Sequence, residues 1–194
     1  MIILIVLALI ALMAYVIVTY NGLQRLKTQI TASIQEIGNQ LKRQASLIPN
    51  LEASVKGYLK HEKGIYKMIT DARKAVETAD KSGESKDIDK ALNSIQAMLP
   101  KLQVMVESNP ELKANTTVTK FMDELTDTAD KLMYARRTLI DLTQSYNEKL
   151  VTFPSNLVAK LFGFKKEKGL AIATSGSHVE VSEAETKDVK VDLD

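Results

Sequence analysis

The chain has no cysteine and no tryptophan, and only 5% of its residues are aromatic. Without cysteine there is no disulfide framework, no thiolate nucleophile and no lipid-modified N-terminal Cys. With so few aromatic residues, an abundance of Leu, Ile, Ala, Lys and Glu favours helix over sheet. Proline is scarce as well, confined to Pro49, Pro100, Pro110 and Pro154. Only two histidines occur, His61 and His178, too few and too far apart for a zinc site. His61 lacks the second histidine of an H-E-x-x-H helix, and no phosphate-binding glycine loop or G-x-S-x-G elbow is present. An enzyme is therefore not expected, nor a cofactor. The net charge of +2, without a basic stripe interleaved with aromatics, argues against nucleic acid.

The most informative absence is local. Met1 to Tyr20 contain no charged side chain, and Arg25 is the first to appear. At 1.5 Å per residue such a helix covers about 30 Å, the thickness of a bilayer hydrocarbon core. Twelve of the twenty residues are Leu, Ile or Val, each favouring insertion by roughly 0.3–0.6 kcal/mol near the helix centre. The sum of about 4–7 kcal/mol meets no opposing charge. A cleaved signal peptide would need a basic start and a small-x-small site; neither is there, so residues 1–20 are read as an uncleaved single-pass anchor. Arg25, Lys27, Lys42 and Arg43 follow the span and no Lys or Arg precedes it. The positive-inside rule then puts the N-terminus outside and the remaining chain in the cytoplasm.

Beyond the anchor, apolar residues recur at helical spacing in four stretches. Ile30, Ile34, Ile37 and Leu41 mark the first, and Leu51 to Val76 the second. Ile88 to Met105 mark the third, which carries Pro100 and takes Ser85 as its expected cap. Phe121 to Phe153 mark the fourth, expected to be capped by Thr116 or Thr117 and to stop at Pro154. Between them, Pro110 is placed to open a single turn. The expectation is an all-α fold, a transmembrane helix leading into an up-and-down antiparallel four-helix bundle. Pro49 decides its topology. A turn there, with Asn50 capping a new helix, gives four helices of comparable length. The alternative is a long Pro49-kinked first helix with two further helices.

An even number of helices returns the chain to the membrane face. Residues 155–168 then arrive at the bilayer, and Leu157, Leu161, Phe162, Phe164, Lys165 and Lys166 become candidate surface contacts. The competing reading packs these side chains on the open end of the bundle. A second candidate set is Lys42 and Arg43 beside Pro49, with Arg136 and Arg137 mid-helix. These arginines serve either an ion-pair network, with Glu36, Asp71 or Asp141 as partners, or an acidic protein partner. Residues 165–194 read as a disordered acidic tail; from Ser175 onward six acids face two lysines.

Six blocks in one order carry a family resemblance. They are YNGL from Tyr20, NQLKRQASLIPNLEASVKGYLKHEK from Asn39, TDAR from Thr70, NPELKAN from Asn109, ARR from Ala135, and YNEKLVTFPSNLVAKLFGF from Tyr146 to Phe164. They resemble the LemA family over about 145 residues. The resemblance implies a bacterial single-pass membrane protein with a helical bundle over residues 21–164. It carries no catalytic residues onto this chain. Relatives that look like lipoproteins have a Cys before the YN pair, where this chain has Val18-Thr19. The function expected is a membrane-anchored scaffold or interaction module with an unidentified protein partner; the alternative is a lipid-contacting or envelope-stress-responsive protein.

Overall fold

The structure is a computed structural model that describes residues 1–58 and 63–169. His61, His178 and the acidic residues after Gly169 lie outside the described residues. Among those described, all regular structure is helical: α1 (Ile2–Val55), α2 (Lys63–Ser82), α3 (Ser85–Ser108), α4 (Pro110–Ala114), α5 (Thr116–Val151) and α6 (Ser155–Leu161). α1 is long and apolar enough to cross a membrane near its N-terminus.

The expected turn at Pro49 is not there. α1 runs through the proline and ends six residues later, at Val55. A proline inside a helix costs about 3 kcal/mol in a lost hydrogen bond and a ring clash. Against that, Ile48, Leu51 and Val55 are fully buried on the face that also buries Leu41 and Leu47, and each such side chain contributes roughly 1.5–3 kcal/mol. Unbroken helical phase keeps all three facing the core, so burial outweighs the proline. Asn50 does not cap a new helix either; its amide donates to the Ser46 carbonyl at 2.9 Å, and Ser54 Oγ donates to the Asn50 carbonyl at 2.8 Å.

The bundle remains four long helices running up and down. Gly22 of α1 lies beside Lys149 of α5, and Arg43 beside Glu124, so numbers fall on one helix as they rise on the other. Glu52 with Arg73, and Asp89 with Arg136, place α2 against α1 and α3 against α5. α1 packs most extensively on α5, and α2 on α3. Small residues at the seams (Ala72, Ala75, Ala79, Ala91, Ala129 and Ala135) are all buried and let the helices approach closely.

The helices are not of comparable length, as the Pro49 turn would have made them. The 35 residues of α1 beyond Tyr20 and the 36 of α5 each extend about 50 Å, whereas α2 and α3 have 20 and 24 residues. The α2–α3 turn at Gly83 therefore stops beside Ile34, Ile37 and Gly38 of α1. Roughly 20 Å of the α1–α5 pair next to the apolar run is left without α2 and α3.

Caps differ by a residue or two from expectation. Glu84, not Ser85, precedes α3, and Ser82 Oγ instead donates to Asp87 at 2.6 Å. Asn115, not Thr116 or Thr117, caps α5, its Oδ1 accepting from the amides of Thr117 and Val118 at 3.1 and 3.3 Å. Asn109 does the same for α4, which Pro110 opens as the sequence predicts.

Candidate interaction surfaces

The chain after α5 fills the step that the short α2–α3 hairpin leaves. α6 turns back along α1 and ends in a Schellman motif, Gly163 N–H donating to Lys160 and Phe164 N–H to Ala159. Gly163 sits at φ +71°, where a side chain would be strained. That one reversal separates two aromatic neighbours. Phe164 packs inward against the core, while Phe162 stays half exposed beside Tyr20, ring centroids 4.8 Å apart. Tyr20 also meets Phe164 edge-on at 5.6 Å.

Residues 165–169, which the sequence assigns to the tail, lie as a strap along α5. The buried Tyr146 hydroxyl donates to the Lys165 carbonyl at 3.0 Å. Asn147 holds the Glu167 backbone by both its groups, its amide donating to the carbonyl at 2.8 Å and its Oδ1 accepting from the N–H at 3.0 Å. Gly169, at φ +50°, passes so close to Thr143 that a Cβ there would lie 2.7 Å from its methyl. Burial pushes the Tyr146 phenol above its ordinary pKa, and the Glu167 carboxylate raises it further. The sequence reading places Tyr146 in the apolar stripe and gives Asn147 no role. An adjacent Tyr-Asn pair in an otherwise amphipathic helix was the available signal.

Of the candidate surface contacts, Phe164 is largely taken by the core, with Val158 and Ala159 beside it. Leu157 (57% exposed), Leu161 (75%) and Phe162 (49%) remain open, joined by Phe153 (76%). The Lys165 and Lys166 side chains are exposed too. The inner face of the segment thus packs on the open end of the bundle, and its outer face is left exposed.

The arginine candidates separate in the same way. Arg136 Nε meets Asp89 of α3 at 2.6 Å, rather than Glu36, Asp71 or Asp141, and Arg43 meets Glu124 of α5 at 3.5 Å. These half-exposed pairs each tie two helices and contribute at most about 1 kcal/mol. Lys42 and Arg137 are exposed and have no carboxylate within ion-pair distance among the described residues. With α1 continuous, Lys42 and Arg43 lie along a helix and flank no turn.

Arg137 borders an opening between α3 and α5. α3 and α5 adjoin much less closely than α1 and α5. A groove of about 800 Å³ runs between them, walled by Leu92, Asn93 and Gln96 on one side and Met133, Arg137 and Ile140 on the other. The exposed Gln96 amide donates across it to the Met133 sulfur at 2.8 Å, and Tyr134 stands 74% exposed at its rim. Sequence periodicity could not show this groove, because it arises from the spacing of two helices and not from a residue pattern. Among the described residues, no cluster of three or more His, Asp or Glu side chains is placed to hold a metal ion.

No curated protein matches the chain. The model of the LemA family matches residues 33–183, which takes in α1 from Ser33 onward, α2 to α6 and the strap. The chain belongs to the LemA family.

Proposed function

We propose that the protein is a membrane-tethered, non-enzymatic interaction module that receives an amphipathic helix of a partner protein in the α3–α5 groove. The observation that carries this reading is the groove itself. It combines apolar walls (Leu92, Met133, Ile140), an exposed Tyr134 and an Arg137 free of carboxylate partners among the described residues. Tyr, Met and Arg are the residue types enriched at interfaces, and an opening between two antiparallel helices suits a third helix. The partner helix would present an apolar face with an acidic residue to Arg137. The uncharged start of α1 supports a single-pass anchor, and Arg25 and Lys27 just after it support an outside N-terminus and a cytoplasmic bundle.

A photo-crosslinking residue at position 134, in native membranes, tests this. The expected result is an adduct mapping to an acidic amphipathic helix, lost with Arg137→Glu and restored by reversing the partner's acid. An adduct profile indistinguishable from that of exposed Lys74, on α2, would overturn the reading. A second reading, lipid contact by residues 155–168, is favoured by the exposed apolar side chains of α6.

A further inference from the structure

The corner between α5 and α6 carries four large apolar side chains in the open, Phe153, Leu157, Leu161 and Phe162. A cluster of this kind on a soluble surface marks a contact site. Its position along α1 is fixed by the Tyr20–Phe162 and Tyr20–Phe164 ring contacts. Tyr20 is the last residue of the uncharged run. Residues 1–14 are all exposed, whereas Tyr15, Val16, Thr19 and Tyr20 are partly covered, and α6 packs on α1 with Phe162 and Phe164 against Tyr20. The corner therefore lies beside the last turn and a half of the apolar run, at the depth where that run leaves the hydrocarbon.

Charge completes the pattern. Lys160, Lys165 and Lys166 extend from the corner, and the Lys149 ammonium lies level with Gly22, just past the run. The nearby acids are Glu148 and Glu167, and Glu167 already faces Lys27 at 3.9 Å. Apolar side chains within a ring of lysines match an anionic leaflet surface, where acyl chains meet the first and phosphate oxygens the second. A protein partner would have to reach the corner at the same depth as the headgroups, which favours lipid as the occupant.

We propose that the α5–α6 corner is an anionic-lipid foot: Phe153, Leu157, Leu161 and Phe162 enter the interfacial layer of the leaflet from which α1 emerges, and Lys149, Lys160, Lys165 and Lys166 hold anionic phospholipid headgroups. The inference rests on the anchored and lipid-contacting readings and deepens them by naming the headgroup class. It is independent of the α3–α5 groove.

Because the chain has no tryptophan, Leu161→Trp supplies a single reporter at an exposed position. The full chain is reconstituted in vesicles of phosphatidylcholine alone, or of equal parts phosphatidylcholine and phosphatidylglycerol, each with brominated acyl chains. The expected result is blue-shifted emission, with quenching by bromine clearly greater in the phosphatidylglycerol vesicles. Adding Lys160→Gln, Lys165→Gln and Lys166→Gln should abolish that difference, and Tyr134→Trp, far along α5, should stay unquenched. Equal quenching in both vesicles would overturn the foot while leaving general lipid contact standing. Water-like emission at position 161, quenched by iodide to the level of Tyr134→Trp, would overturn both. Blue-shifted emission that bromine does not quench would assign the corner to a second copy of the chain. Unchanged quenching after Phe153, Leu157 and Phe162 are all replaced by Ser would show that the anchor alone brings position 161 to the bilayer, and would also end the proposal.

Discussion

Replacing Pro49 by Ala should stabilise the bundle, and the size of the gain follows from where the proline sits. Position 49 is interior to α1, so alanine restores an N–H that can bond the Ala45 carbonyl and removes the ring clash, worth about 3 kcal/mol. The ring is half buried, and losing its methylenes gives back about 1 kcal/mol. The net expectation is a gain of about 2 kcal/mol, which for a domain of this size raises Tm by roughly 4–8 °C. Pro100 is a companion case, interior to α3 but exposed, so Pro100→Ala gives up less packing and should gain about as much or more. The assay is thermal unfolding of the full chain in detergent, followed by helical circular dichroism. A fall in Tm for Pro49→Ala would refute the reasoning, because a proline that shapes a turn stabilises it and one that interrupts a helix does not.

Three further outcomes follow from the core and the strap. Gln44 is fully buried in α1 and neither amide atom has a protein partner among the described residues, so Gln44→Met should stabilise by about 1–3 kcal/mol in denaturant titrations. Tyr146→Phe should cost about 1–2 kcal/mol at neutral pH by leaving the Lys165 carbonyl unpaired. The folded phenol has a raised pKa, so its contribution is complete below pH 10, the ordinary value, and is lost as pH rises through the folded value. Wild-type stability should consequently fall more steeply above about pH 10 than that of Tyr146→Phe, and the variant's tyrosinate absorbance titration should lose one alkaline step. Gly169→Ala should free the strap, read as faster amide exchange at Glu167 with little change in the exchange of α2.

Periodicity in the sequence was enough for the long helices, because Ile88 to Met105 and Leu125 to Tyr146 repeat at helical spacing and are buried accordingly. Local chemistry was also enough to place the single turn at Pro110. It failed at Pro49, where the local preference of the preceding residue against helix opposes the burial of Ile48, Leu51 and Val55. That burial is a tertiary quantity, and it cannot be weighed until the partner helices are in place. The strap was missed for a related reason. Its ties use backbone groups of Lys165 and Glu167, which no side-chain pattern reveals. Arg136 pairs with Asp89 rather than with Glu36, Asp71 or Asp141, a choice that depends on the rotation of α3 about its axis.

The unbroken course of α1 also sets an altitude. A helix that runs from the apolar start straight into the bundle leaves no slack between the two, and α5 descends beside it to Val151 at the same base. Tyr134 stands seventeen residues up α5 from that base, about 25 Å at 1.5 Å per residue. Any helix received in the groove must be held at that height, by a soluble domain or by a stalk of its own. With residues 1–20 anchored as proposed, a peptide lying flat on the bilayer surface would pass beneath it.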